Sequence, residues 1–176
     1  VLEVARSLGY RLKSPVTSTP VKAIRTVGLL VKAGVGDEPH ANHFYSHIIS
    51  GVESACRQMG INLLFANLPV DSDNCPTEIP ALLEKGDADA ILLAGVLVSD
   101  ALHRILENRG CPVVLVDSYS PTRNYNSILS DNVQGAYQAT EYLLQKGHSQ
   151  VGFVGGNEQA FPSFFDRRQG YRSALA

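Results

Sequence analysis

Hydrophobic positions along the chain follow two rhythms. Short, continuous apolar runs recur at Val27-Gly-Leu-Leu-Val31, Ile61-Asn-Leu-Leu-Phe-Ala66, Asp89-Ala-Ile-Leu-Leu-Ala94 and Pro112-Val-Val-Leu-Val-Asp117. Such runs are too short for helices and mark strands buried on both faces. Between them, Phe44, Ile48, Val52, Ala55, Cys56 and Met59 recur every three or four residues, the stripe of a helix from Phe44 to Met59 that Gly60 ends. A second helix is expected over Thr77–Glu84, opened near Pro76 and stopped by Gly86, and a third over Asp100–Asn108, stopped by Gly110. Strands alternating with helices form a parallel sheet through right-handed crossovers. A short strand over Ser127–Ser130 follows, then a helix over Asn132–Lys146 ended by Gly147, a strand over Gln150–Val154 and a last helix over roughly Asp166–Ala174. The chain stops on that helix, so the expected fold is a truncated, doubly wound α/β protein.

The opening residues have another character. Val1, Val4, Ala5 and Leu8 share one face of what reads as the end of a helix, with Gly9 as its stop. The stretch Lys13-Ser-Pro-Val-Thr-Ser-Thr-Pro20 reads as a linker. Charge sharpens this division. The first 25 residues hold Arg6, Arg11, Lys13, Lys22 and Arg25 against Glu3 alone, a balance of +4, whereas the remainder stands at −6. The net charge of −2 excludes a protein that coats nucleic acid uniformly, but the basic arm suits a polyanion nearby. With 44% hydrophobic and 18% charged residues, the 176-residue chain can bury a core. Cys56, Cys75 and Cys111 are too scattered for a disulfide framework or a zinc site, and their odd number fits a reducing cytoplasm. No apolar stretch is long enough to span a membrane. The opening residues lack the charged and apolar regions of a signal peptide, so none is expected.

Ligands of open parallel sheets sit beyond the carboxyl ends of the strands, here residues 32–44, 67–75, 94–99, 117–126 and 155–167. Gly34-Val-Gly36 lacks the third glycine of a dinucleotide fingerprint, Pro39 standing in its place. His40, His43 and His47 have a spacing that a metal could use, but no Glu follows a His to act as base, and the expectation is no metal. No nucleophile elbow, Walker loop or His-Glu-x-x-His pattern occurs, so neither an enzyme nor a cofactor is expected. Asp87 and Asp89 lie at the sheet edge away from the ligand side and read as turn and cap residues. Asp117 ends a strand on the ligand side, where a carboxylate needs hydrogen bonds; it reads equally as a sugar-hydroxyl acceptor and as a cap for Ser118-Tyr-Ser-Pro121. Arg167, at the expected opening of the last helix, opposes the helix dipole, so a ligand oxygen or the neighbouring Asp166 should balance it.

Several segments occur in a characteristic order: Val4-Ala-Arg-Ser-Leu-Gly-Tyr-Arg11, Thr26-Val-Gly-Leu-Leu-Val31, Asn42-His-Phe-Tyr45, Asp89-Ala-Ile-Leu-Leu93, Pro112-Val-Val-Leu-Val-Asp117, Asp131-Asn-Val-Gln-Gly135, Gly147-His148, Phe153-Val-Gly-Gly156 and Ser163-Phe-Phe-Asp-Arg-Arg-Gln-Gly-Tyr171. Together they resemble the LacI/GalR family of bacterial transcriptional repressors over essentially the whole chain. The resemblance implies a type I periplasmic-binding-protein-like core of two lobes, each with a parallel, doubly wound sheet. Residues 1–11 would be a remnant of a helix-turn-helix headpiece, 12–25 a linker or hinge, 26–130 the amino lobe and 131–176 the start of a truncated carboxyl lobe. Phe44 and Tyr45 would wall an effector pocket. Asp117 would bond effector hydroxyls from one lobe, Ser163 and Arg167 from the other. Tyr10 and Arg11 would lie near DNA phosphates. Three departures stand out: His43 replaces the family's usual Pro, Ala94 stands where some members carry a polar contact, and the two linker prolines oppose a hinge helix.

The function implied is a cytoplasmic, homodimeric regulator that binds operator DNA and a small sugar or nucleoside, with no membrane partner. A periplasmic sugar-binding protein of a transporter is the alternative on the same fold, and a sugar-processing enzyme a third reading for which no catalytic constellation is found.

Overall fold

The computed structural model describes residues 23–34, 43–72, 75–120, 122–155 and 161–176. Among these residues ten elements follow one another: β1 (Thr26–Gly34), α1 (His43–Met59), β2 (Asn62–Val70), α2 (Ala81–Lys85), β3 (Ala90–Ala94), α3 (Asp100–Arg109), β4 (Val113–Val116), β5 (Asn126–Ile128), α4 (Asn132–Gln145) and α5 (Pro162–Leu175). The strands form one sheet in the order β2-β1-β3-β4-β5, parallel throughout. This is the α/β architecture that alternating strands and helices imply. Strand order reverses between β1 and β3, and a crevice opens at such a point.

Successive residues of a strand face opposite sides, so one continuous apolar run supplies two cores. Leu29, Val31 and Ala94 are buried with Tyr45 against Ile48, Ile49 and Val52 of α1. Leu30, Ile91, Leu93 and Leu115 are buried on the other side with Leu83 of α2 and Leu102 and Leu106 of α3. The caps follow the sequence closely. Ser99 Oγ accepts from the Leu102 amide at the start of α3, Gly110 closes that helix in a left-handed conformation, and Asp131 accepts from the Gln134 amide to start α4.

Four expectations are corrected. The helix read over Thr77–Glu84 is only Ala81–Lys85, because Pro80 has no N–H to donate and bars helical geometry at Ile79 before it. Both β1 and β2 run three or four residues beyond their apolar runs: the ladder continues through Lys32 and Gly34 of β1, and past Asn67 to the buried Leu68 and Val70 of β2. The last helix starts at Pro162, a residue pre-set for a first helical position. Residues 150–154 form no strand: among the described residues no neighbour offers them a ladder. The segment is tied instead by the Tyr171 hydroxyl, which donates to the Val151 carbonyl at 2.6 Å, and by Phe153 against the Tyr171 ring.

Beyond the sheet, α4 and α5 lie against each other. A Cβ on Gly170 would overlap the Val133 carbonyl and crowd the Tyr137 amide, so glycine there sets how closely the two backbones approach. The headpiece and linker readings at 1–22, including Tyr10 and Arg11, lie outside the described residues, as do Gly36 and His40.

Candidate functional site

Sheet register brings three strand ends level. Val31 pairs with Ala94, and Ala94 with Val116, so the next residues, Lys32, Gly95 and Asp117, stand in a row across the reversal of strand order. Tyr45, from the first turn of α1, closes over this row. It is 2% exposed, and its hydroxyl donates to Asp117 Oδ2 at 3.2 Å. Gly95 makes room for it: with φ of +74°, a Cβ at that position would coincide with the Tyr45 hydroxyl. Burial, reinforced by the charge and hydrogen bond of Asp117, pushes the Tyr45 phenol well above its ordinary range, so it remains a donor.

Among the described residues Asp117 is the non-glycine residue with a positive φ, 46°, in a region that Asp tolerates better than most side chains. The conformation is held from both sides. The Asp117 amide donates to the Ile128 carbonyl, and Gly95 donates to Val116. Ser118, 1% exposed, donates through Oγ to the Leu93 carbonyl at 2.8 Å and accepts from the Val96 amide at 2.9 Å. Residues 95–98 and 117–119 are thus laced into a floor that fixes where the Asp117 carboxylate points. Among the described residues the Asp117 carboxylate makes no bond to the turn that follows it; its partner is Tyr45.

A second network joins this floor to the helix pair. The Tyr119 hydroxyl donates to Asp166 Oδ2 at 3.5 Å and accepts from Asn132 Nδ2 at 3.3 Å. Asn132 Oδ1 in turn accepts from Arg167 Nε at 2.9 Å. Burial, with Asp166 next in effect, raises the Tyr119 phenol above its ordinary value. Phe161 meets the Tyr119 ring edge-on at 5.2 Å. Lys32 Nζ lies 5.1 Å from the centroid of Phe161 and 5.8 Å from that of Tyr45.

Of the expected site residues, Tyr45 and Asp117 are in direct contact. Phe44 is 56% exposed and touches Tyr45 edge-on, with centroids 4.9 Å apart. Ser163 is buried in the first turn of α5, and Arg167 lies one turn farther along. Arg167 therefore does not oppose the helix dipole, because the helix opens five residues before it, and its partner is Asn132 and not Asp166. Lys32, Tyr119, Asn132 and Phe161 escaped the sequence reading. Asn132 follows the helix cap Asp131, and Tyr119 sits two residues past Asp117, yet neither spacing reveals their meeting.

Hollows elsewhere are set apart from this chemistry. One of about 320 Å³, lined by Ile24, Gly86, Asp89, Arg109 and Pro112, lies at the opposite ends of the strands. Another of about 180 Å³ shares Ser118 and Tyr119 with the floor but none of Tyr45, Asp117 or Arg167. Asp89 is a structural clamp, accepting from the Arg25 and Thr26 amides as β1 begins. Among the described residues no group of three His, Cys, Asp or Glu side chains could hold a metal, and no helix is long and apolar enough to cross a membrane. At the carboxyl ends of β1, β3 and β4 the chain offers carboxylate acceptors, phenol donors, cations and aromatic faces, which equip it for recognising a small polar molecule.

Comparison with known proteins identifies the family. Residues 25–176 match the family model described as periplasmic binding proteins and sugar binding domain of LacI family. The chain is 29% identical over 178 residues to the HTH-type transcriptional repressor PurR of Vibrio campbellii, covering 100% of this chain and 51% of that protein. It is 27% identical over 172 residues to the ribose operon repressor of Escherichia coli K12, covering 97% and 49%. Among solved structures, the transcription regulator CcpA of Lactococcus lactis superposes with a TM-score of 0.67 at 25% identity, covering 87% of this chain and 54% of that one. The chain spans about half the length of the curated relatives it matches.

Proposed function

Because the chain belongs to the family of periplasmic binding proteins and sugar-binding domains of LacI type, we propose that it is the effector-sensing part of a DNA-binding transcriptional repressor. Residues 26–130 act as the amino lobe and 131–176 as the start of the second lobe, with 1–11 and 12–25 as headpiece remnant and linker. A small sugar or nucleoside-like metabolite binds between the lobes, to Asp117 on one side and to Ser163 and Arg167 on the other. The protein works as a cytoplasmic homodimer on operator DNA and catalyses no reaction. Relatives that are repressors favour this over a transporter's sugar-binding protein.

The observation that carries the reading is the bonded path Tyr119–Asn132–Arg167, with Asp117 two residues from Tyr119. A hydroxyl-rich guest between Asp117 and Arg167 replaces contacts within this path by contacts to itself and so shifts one lobe against the other. Effector and operator affinities are then coupled reciprocally. The test is calorimetric titration of the complete protein with a panel of sugars and nucleosides, followed by operator titration with and without the ligand found. Asp117→Asn keeps the shape but weakens the charge-assisted bonds, and should lower effector affinity by ~10-fold or more. An Asp117→Asn variant that binds as tightly as the parent protein overturns the assignment.

A further inference from the structure

We infer that Asn132 is a positioning residue for effector recognition: it holds Arg167 by Nε, so that the two terminal nitrogens of the guanidinium form the edge that meets the effector. The inference rests on the effector-cleft reading above and names the bond of the Tyr119–Asn132–Arg167 path that persists when ligand binds.

Asn132 is 7% exposed, and its amide is committed at both ends. Nδ2 donates to the Tyr119 hydroxyl at 3.3 Å and to the Ser130 carbonyl at 3.2 Å, which uses both amide hydrogens. Oδ1 accepts from Arg167 Nε at 2.9 Å. A flipped amide would set its N–H groups against the guanidinium N–H and its oxygen against the Ser130 carbonyl, so one orientation satisfies every partner. The backbone is fixed as well. Asn132 is the first residue of α4, and its amide nitrogen donates to the Ser130 carbonyl at 2.9 Å.

A guanidinium is planar, with five N–H donors in a fixed fork. It grips a pair of acceptors either side-on, through Nε and one terminal nitrogen, or end-on, through both terminal nitrogens. Asn132 occupies Nε and so removes the side-on mode. Phe164, three residues before Arg167 on α5, presents its ring to the guanidinium with the centroid 5.6 Å from Cζ, and restrains the tilt of the plane. Among the described residues neither terminal nitrogen has a hydrogen-bond partner. The end-on edge is therefore the part of Arg167 presented to a ligand. Its two parallel N–H groups match two neighbouring acceptor atoms on one ring, such as adjacent sugar hydroxyl oxygens. A guest that competes for the path displaces the longer, neutral bond between Asn132 and Tyr119 and leaves the charge-assisted bond to Arg167 in place.

Two readouts on the complete protein test this. The Arg167 Nε–H group gives its own proton–nitrogen signal in NMR spectra, assigned by its loss in Arg167→Met. The parent and Asn132→Asp, which keeps an acceptor oxygen, should show that signal exchanging slowly with water, and Asn132→Leu should lose it. Calorimetric titration with ribose, glucose and adenosine then reads recognition. For a probe that binds, Asn132→Leu should weaken affinity ~10-fold or more, the scale of a lost charged hydrogen bond, and Asn132→Asp should stay within ~3-fold of the parent. In an Arg167→Met background, Asn132→Leu should change affinity by less than ~2-fold, because no guanidinium remains to be positioned. An equal loss in both backgrounds, a slowly exchanging Nε–H signal that survives in Asn132→Leu, or an Asn132→Asp variant as weak as Asn132→Leu overturns the inference and leaves the effector cleft standing. Failure of all three probes to bind the parent overturns the effector reading and this inference with it.

Discussion

The sheet region and the helix pair behind it hold together by different means. In the first, Leu29, Leu30, Ile91, Leu93, Leu102 and Leu115 are almost wholly buried in two apolar layers. In the second, the buried residues of α4 and α5 are Asn132, Thr140, Ser163 and Gly170, while Tyr142, Phe164, Phe165 and Leu175 stay exposed. Burying one large aliphatic side chain contributes about 1.5–3 kcal/mol, against about 0.5–1.5 kcal/mol for a typical side-chain hydrogen bond. Among the described residues the sheet unit is therefore the frame, and the helix pair follows it. The helix pair is joined to it at Tyr119 and Phe161 by a hydrogen bond and an edge-on ring contact.

The largest effect that would sharpen this contrast comes from the frame. Leu93→Ala leaves a cavity between β3 and the α2–α3 layer, and should cost about 2–5 kcal/mol of stability. Denaturant unfolding should show the whole sheet weakened, with faster amide exchange in β1, β3 and β4 together. If only the helix pair lost protection, the division into frame and follower would be wrong.

A smaller and more local effect is expected from Gly170→Ala. Alanine favours a helix by about 1 kcal/mol over glycine, so an isolated helix would gain. Here the added methyl meets the Val133 carbonyl and the Tyr137 amide, backbone atoms that cannot rotate aside. Overpacking of this kind costs about 1–3 kcal/mol, so the clash outweighs the propensity. Amide exchange should quicken in α4 and α5 and stay unchanged in the sheet. A rise in melting temperature would show that the helix spacing is not set at Gly170.

How far these features could be read in advance depends on whether their causes are local. The three inner strands, β1, β3 and β4, announce themselves because each is covered on two faces and needs an unbroken apolar run; β2 carries such a run too, but lies at the sheet edge with Phe65 exposed. Their ends do not, because at Lys32, Gly34, Asn67 and Pro69 the ladder continues through residues that interrupt the apolar run. Apolar spacing overextends α2 because it does not register the restriction that Pro80 imposes on Ile79. Residues 150–154 have a strand's composition, but a strand exists only with a neighbour. Within the site, Asp117 was legible as a carboxylate at the end of an apolar strand, and Tyr45 entered only through family resemblance. Lys32 could not be found so: its nearness to Asp117 arises from β1 and β4 flanking β3, a fact of strand order and not of spacing. Asn132 as the partner of Arg167 depends in the same way on how α4 meets α5.

The smallest expected effect, and the most specific to the joint between frame and site, lies at Tyr45. Its phenol is pushed above its ordinary value of 10.0, first by burial and then by Asp117. The unfolded chain therefore releases this proton at lower pH than the folded one. Between the two values the folded state holds more protons, so stability falls as pH rises. The contribution is fully present below about pH 10 and declines above it. Tyr45→Phe removes the ionisable group along with one hydrogen bond, and should cost about 0.5–1.5 kcal/mol near neutrality. The variant's stability should then fall less steeply than the parent's above pH 10, so the gap between the two proteins narrows as the solution becomes more alkaline. Parallel curves from pH 8 to 11 would mean that the ring contributes by packing alone, and that Asp117 is positioned by its own backbone rather than by the phenol above it.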